Sequence, residues 1–169
     1  MILKDLSVYP AYYTAYFQAV PDTISIHRLL DSRLEHLAFY ESIPEERWSY
    51  AYETGKWSIQ NVVRHIIDAE LIFDYRALSF VRGEKNKLMG WSENEYAAQV
   101  DESRLNKESL LRSLELQMRY TADLFAGFDR NDLQKIGNMN NHDTEVGGIG
   151  FAIIAHEIHH RGVIQNRYL

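Results

Sequence analysis

The chain has 169 residues and a formal net charge of −6 at pH 7, with 46% hydrophobic and 25% charged residues. This composition is typical of a folded globular chain, and the acidic balance argues against a nucleic-acid-binding protein, which needs a basic surface. The absence of cysteine excludes disulfides, thiolate metal sites and cysteine nucleophiles. The longest apolar run, 146–155, is far shorter than the roughly 20 residues of a membrane span, and the N-terminus does not resemble a signal peptide. We therefore expect a single domain over residues 1–169, located in the cytoplasm, with neither a nucleic-acid nor a membrane partner.

Apolar residues recur at helical spacing in four segments, and no segment shows the alternation typical of a β-strand. In chain order, the predicted helices cover residues 23–42, 58–83, 106–127 and 147–168. Four long helices, each with one apolar face, predict an all-α four-helix bundle. The connections are long, roughly 15 to 20 residues each, so they leave room for a crossover between helices.

The segment that precedes the first predicted helix, residues 1–22, is rich in tyrosine. It contains Tyr9, Tyr12, Tyr13 and Tyr16. We expect this extension to pack on the bundle as a short helix. The rings of Tyr12, Tyr13 and Trp57 are expected to fill the core or an interface.

Two of the seven histidines lie one turn apart in the fourth predicted helix. His156 and His160 differ by about 40° around the helix axis, so both imidazoles can bind one divalent ion. His159 points about 100° away from His160. The same residues match the zincin string H-E-x-x-H, with Glu157 at the position of the general base. No His, Asp or Glu follows His160, so a third ligand must come from another element.

His65, in the second predicted helix, is the candidate for that third ligand. If the second helix lies beside the fourth, three neutral imidazoles meet and leave an open coordination position, as in catalytic metal sites. Alternatively, His65 is a hydrogen-bonded core residue, and His156 and His160 form a solvated pair on a helix face. The other histidines are expected on the surface or in loops: His27, His36 and His142.

Two motifs resemble the helix signatures of the DinB/YfiT-like superfamily. They are Lys56-Trp57-Ser58-Ile59 with His65, Asp68-Ala69-Glu70 and Arg76 in the second helix, and Ala155-His156-Glu157-Ile158-His159-His160-Arg161-Gly162 in the fourth. The resemblance extends over about residues 23–168. Two positions depart from the family pattern: Asn61 stands where Glu is common, and Val163 where Gln is common.

The resemblance implies a four-helix bundle with a divalent metal ion bound by His65, His156 and His160. Zn, Ni and Fe all accept imidazole ligands, so the metal is left open. Members are often dimers, which implies a homodimer. Characterised relatives include thiol-dependent S-transferases and a maleylpyruvate isomerase, in which the metal activates a low-molecular-weight thiol, so such a thiol is a candidate cosubstrate.

Four further polar residues are candidates for binding substrate or supporting the metal ligands: Asn61, Asp68, Arg76 and Glu157. Arg76 lies about three turns beyond His65 on the same helix face, so it can bind a substrate carboxylate or form an ion pair with Asp68 or Glu157. Glu157 is about 100° from His156, which favours a solvent-facing or interhelical carboxylate over a general base. Glu70, about 140° from His65, is expected to contact another helix.

Together these features predict a divalent-metal-dependent enzyme that acts on a small molecule. A metal ion on three neutral ligands would lower the pKa of a bound water or thiol. Water as the nucleophile gives a hydrolase, and a thiol gives an S-transferase. The alternative is a non-catalytic metal- or small-ligand-binding bundle, such as a dimeric stress-response protein.

Overall fold

Helices dominate the fold of the chain, which is described over residues 1–169 by a computed structural model. The α-helices are α1 (Tyr13–Phe17), α2 (Ile26–Ser32), α3 (Leu37–Ser42), α4 (Ile59–Val81), α5 (Glu93–Ala98), α6 (Lys107–Ala126), α7 (Arg130–Leu133) and α8 (Val146–Arg167). The predicted four-helix bundle is confirmed, since α4, α6 and α8 correspond to three of the predicted helices and α2 with α3 to the first. No segment with the length and hydrophobicity of a transmembrane helix is found among them.

Capping side chains determine where two of the long helices begin. The Ser58 hydroxyl accepts a hydrogen bond from the backbone N–H of Asn61 at 3.3 Å, so α4 starts at the predicted position. Asn106 Oδ1 likewise accepts from the backbone N–H of Ser109 at 2.8 Å and begins α6. Gly83, just beyond α4, has φ +86°, a left-handed conformation that ends a helix and favours glycine.

The first helix differs from its prediction in two respects. It begins at Ile26, because Ser25 caps it by accepting from the backbone N–H of Arg28. It is also not continuous, since a 3-10 turn at Arg33–His36 separates α2 from α3. This turn carries Arg33 into the centre of the bundle, where its side chain is fully buried.

The long helices are arranged in a crossed order. Helix α4 packs against α6 and α8, and α2 with α3 packs against the same two helices from the other side. The first two long segments of the chain therefore face each other across the bundle instead of lying side by side. The connection between these two segments must therefore cross the bundle, as its predicted length allows.

Residues 136–145 form a β-hairpin, which contradicts the prediction that the chain has no strand. Strands β1 (Ile136–Met139) and β2 (His142–Glu145) pair antiparallel. Asn140 and Asn141 at the tip have φ values of 51° and 68°, the left-handed conformation that a type I′ turn requires at both central residues. Strands this short are hard to recognise from alternation, and the Asn-Asn pair was the better signal.

A layer of buried polar side chains divides the apolar core into two clusters. One cluster contains the first part of α8 and the last part of α4, and the other contains the opposite ends of the same helices. The polar layer consists of the half-buried His36 and six buried residues, Arg33, Glu70, Asp74, Gln117, Thr121 and Glu157. Each of the four long helical segments contributes to it, so it extends through the whole bundle.

Arg33 and Glu70 form the centre of the polar layer. The Arg33 guanidinium donates two parallel hydrogen bonds to the Glu70 carboxylate, Nη1 to Oε1 at 2.8 Å and Nη2 to Oε2 at 2.5 Å. Thr121 Oγ1 lies 2.6 Å from Glu70 Oε1 and 2.8 Å from Asp74 Oδ2. A hydroxyl has one proton to donate, so the second short contact is satisfied when Asp74 is protonated and donates to Thr121. Burial raises the pKa of Asp74 to about 7, which agrees with this arrangement.

We expect Asp74→Asn to stabilise the protein at neutral pH. The raised pKa of Asp74 means that the folded state loses stability as pH rises from about 4, where unfolded Asp titrates, to about 7. Asparagine does not titrate. The free energy of unfolding of the variant, relative to that of the parent, should therefore rise by about 1–3 kcal/mol over this interval and then stay constant. Urea unfolding between pH 4.5 and 8 measures it, with Asp123→Asn at an exposed position of α6 as control. A stability difference between variant and parent that is the same at every pH would contradict the raised pKa of Asp74.

Candidate metal centre

Three imidazoles meet between α4 and α8, and they are those of His65, His156 and His160. Nε2 of His156 lies 3.0 Å from Nε2 of His65 and 3.0 Å from Nε2 of His160. One ligand atom from each residue can be chosen so that all three lie within 4.8 Å of one another. Nitrogens that share a tetrahedral zinc ion are about 3.3 Å apart, so this spacing fits one common ion.

Burial keeps these imidazoles in the neutral form. Desolvation lowers the pKa of His160 to about 3, and the neighbouring His65 and His159 lower it as well. Desolvation also holds the pKa of His156 well below 6.5. The pKa of His65 is lowered by the same cause, although the charge of Glu93 opposes the shift. At pH 7 all three rings therefore keep an unprotonated nitrogen, which is the form that binds a metal.

His159 does not belong to this cluster, although it is adjacent to His160 in the chain. Its side chain is exposed, and its ring packs edge-on against Tyr16 with 5.1 Å between ring centroids. The helical geometry thus separates the two neighbours as the sequence predicts.

An open cavity of about 310 Å³ adjoins the three imidazoles. We call it the histidine cavity. Its aromatic lining consists of Tyr12, Tyr13, Tyr16, Trp57, Phe73 and Trp91. Tyr12, Tyr13 and Tyr16 come from the N-terminal extension, whose helix α1 contacts α8. Tyr12, Tyr13 and Trp57, expected only to fill the core or an interface, also form walls of this cavity.

Arg76 is the cationic residue of the cavity lining, and it is 2% exposed. Its Nη2 donates to the backbone carbonyl of Met89 at 2.8 Å and to Asn140 Oδ1 at 3.2 Å. Arg76 pairs with neither Asp68 nor Glu157, so the ion-pair alternative is wrong for both partners.

Asn61 and Asp68 lie close to His65 but outside the cavity lining. Asp68 forms an ion pair with Arg64 one turn earlier on α4, with 2.9 Å between Arg64 Nε and Asp68 Oδ1. Asn61 is buried, and its side-chain oxygen has no hydrogen-bond partner. Both residues line a narrow recess that also includes Trp91. Among the four polar candidates, Arg76 is thus the one that lines the histidine cavity.

Glu157 faces away from the cavity into the polar layer. It accepts a hydrogen bond from the Tyr40 hydroxyl at 2.9 Å, and its other oxygen lies 2.7 Å from His36 Nδ1. Burial alone would raise the pKa of Glu157, but the contact with His36 and the charge of Arg33 bring it below its ordinary value. Glu157 is therefore an interhelical carboxylate. His36 is half-buried and hydrogen-bonded, so its expected place on the surface or in a loop is wrong.

Trp91, Glu93 and Asn140 also line the cavity, and none of them was a candidate in the sequence. Glu93 begins α5, which Ser92 caps by accepting from the backbone N–H of Glu95; a Ser followed three residues later by Glu is a recognisable helix start. Asn140 belongs to the hairpin turn. Backbone hydrogen bonds at Leu88 tie the loop before Trp91 to this hairpin.

Comparison with known proteins identifies the family. The family model of the DinB superfamily matches residues 28–164. YfiT from Bacillus subtilis, described as a probable metal-dependent hydrolase with an unusual four-helix bundle topology, has a similar structure with a TM-score of 0.73. Its sequence is 15% identical to this chain, and the match covers 86% of this chain and 88% of YfiT, which shows a shared fold. No curated protein matches the sequence. Because the family model spans most of its length, the chain belongs to the DinB superfamily.

Proposed function

We propose that the protein is a divalent-metal-dependent hydrolase of a small molecule, with the metal bound by His65, His156 and His160. The observation that carries the proposal is the convergence of three neutral imidazoles beside an open cavity. Three neutral ligands leave a coordination position for a water molecule, whose pKa a bound metal ion would lower. The fold shared with YfiT, itself described as a probable metal-dependent hydrolase, supports the same conclusion.

The remaining residues of the cavity supply binding and proton transfer. The aromatic walls provide an apolar surface for the body of a substrate. Glu93 is exposed at the edge of the cavity, and its charge acts on His65, so we assign it as the acceptor of the proton that the attacking water loses. Glu157 cannot take this role, because both of its oxygens are engaged in the polar layer.

A second candidate function is transfer of a low-molecular-weight thiol, in which the thiol replaces water as the nucleophile. It rests on the family resemblance, and a cavity of about 310 Å³ accommodates a small thiol with its acceptor. The homodimer and the cytoplasmic location also remain predictions. A non-catalytic metal-binding bundle is the third reading, and it predicts a bound ion without turnover.

Metal analysis of the purified chain, followed by activity screening, tests the proposal. We expect about one divalent ion per chain and hydrolysis of small esters or amides that a chelator abolishes and added metal restores. Turnover of an electrophile only when a small thiol is present would favour the transferase. A chain that neither contains nor takes up a divalent ion would overturn the proposal.

A further inference from the structure

Arg76 is a buried cation whose charge the protein does not balance. It is 2% exposed, yet no carboxylate forms an ion pair with it. Its two hydrogen bonds go to neutral oxygens, those of Met89 and Asn140, and both involve Nη2. The hydrogens on Nε and Nη1 have no acceptor in the protein. Buried charges in proteins are normally paired, so an unpaired guanidinium beside a cavity indicates a partner from outside the chain.

Arg33 shows how the same fold treats an arginine with a structural role. Its guanidinium is fully buried and bound by both oxygens of Glu70. Its Nε has no contact with solvent. The unpaired nitrogens of Arg76, in contrast, keep some solvent-accessible surface, and Arg76 lines the histidine cavity. The difference indicates that Arg76 is left accessible for a ligand.

Burial lowers the pKa of the Arg76 guanidinium, because the cation loses hydration that no neighbouring carboxylate replaces. The carboxylate that does line the cavity, Glu93, acts on His65 instead. An anion bound at Arg76 would supply the missing partner charge. A single guanidinium balances one negative charge, which favours a monoanion over a phosphate dianion.

The position of Arg76 also defines the shape of the ligand. Arg76 and His65 lie on the same face of α4, with about 16 Å between their Cα atoms along the axis, and helical side chains lean towards the N-terminus. Arg76 therefore leans towards the imidazoles. Ala69 and Phe73, which come between them on α4, line the cavity, and so do Trp91 and Tyr13.

From these observations we infer that Arg76 is the binding site for a carboxylate group of the substrate. The substrate class is a small carboxylic acid with an apolar, preferably aromatic, body and its reactive bond at the end opposite the carboxylate. The inference rests on the proposed function, since it assumes that the reactive bond lies at the three histidines. The carboxylate site itself does not require hydrolysis to occur.

Binding of benzoate and of its neutral analogue benzamide to the metal-loaded full-length chain tests the inference. Quenching of the tryptophan fluorescence reports binding, because Trp57 and Trp91 line the cavity. We expect the parent to bind benzoate at least about 10-fold more tightly than benzamide. Arg76→Met should remove this preference, Arg76→Lys should keep part of it, and Arg82→Met, at an exposed position just beyond α4, should leave it unchanged.

Two results would overturn the inference. One is a parent that binds benzamide as tightly as benzoate, a measurement that needs no variant. The other is Arg76→Met protein that retains its metal and the full preference for benzoate, because the carboxylate would then bind the metal or another group. Failure of the hydrolase proposal is seen separately, as absence of metal or of ester turnover by the parent. Turnover of 4-acetoxybenzoate but not of 4-acetoxybenzamide would support both.

Discussion

Replacing His156 with alanine is expected to lower the affinity for a divalent ion by about 100-fold or more. His156 is the central member of the cluster, since its Nε2 contacts the Nε2 atoms of both His65 and His160. Loss of a direct ligand should exceed the 10- to 100-fold effect typical of groups that merely orient one. His65→Ala and His160→Ala should behave similarly. Competition with a chromophoric chelator at pH 7 measures the affinity.

His159→Ala is the matched control for this series. It removes an imidazole from the same turn of α8, but one that is exposed and packs against Tyr16. We expect its affinity to stay within about 3-fold of the parent, since it leaves all three ligands in place. If His159→Ala abolished binding while His160→Ala retained it, the ligand assignment would be wrong. Parent-like binding by all four variants would mean that the histidines are not a metal site.

Glu70→Gln is expected to destabilise the protein by about 3–5 kcal/mol, because it removes the negative charge that is directly bound to the fully buried Arg33 cation. The double variant Arg33→Met/Glu70→Leu should lose less stability than Glu70→Gln, since it removes both charges and keeps an apolar interior. Urea unfolding at pH 7 measures the free energy of unfolding of each.

The control for this pair is Glu115→Gln, which breaks an ion pair with Arg119 on the exposed face of α6. A surface pair of this kind contributes about 0–1 kcal/mol. Glu70→Gln could instead lower the free energy of unfolding as little as Glu115→Gln does. Another group would then balance the charge of the Arg33 guanidinium, and the Arg33–Glu70 pair would not be the ionic centre of the bundle.

Helical periodicity predicts most of the fold and the members of the histidine cluster. With 3.6 residues per turn, His156 and His160 lie on the same face of the helix, and His159 points away from the cluster. The same arithmetic places Arg76 on the face of His65 and turns Glu157 away from His156. These predictions succeed because a long helix fixes the direction of every side chain from its sequence position.

The parts that sequence reasoning missed depend on contacts between distant segments. Glu70 was expected to contact another helix, but its partner Arg33 follows only from the diagonal approach of α2 and α4. The role of His36 likewise depends on where Glu157 points. Asn140 reaches the cavity because the hairpin tip folds onto Arg76. The sequence pattern of α4 or of the hairpin alone does not predict that contact.

The crossed order of the helices has a consequence for how the chain folds. The first long segment, α2 with α3, shares no extensive face with α4, and α6 shares none with α8, so the helical hairpin that neighbours in sequence can form is that of α4 with α6. Helix α4 remains without its packing surfaces until α6 or α8 has been synthesised, and His65 must wait for His156, 91 residues later. Large loops must close before native contacts compensate for their entropy, which slows folding. A nascent chain emerging from the ribosome therefore exposes the apolar face of α4 until the downstream helices arrive.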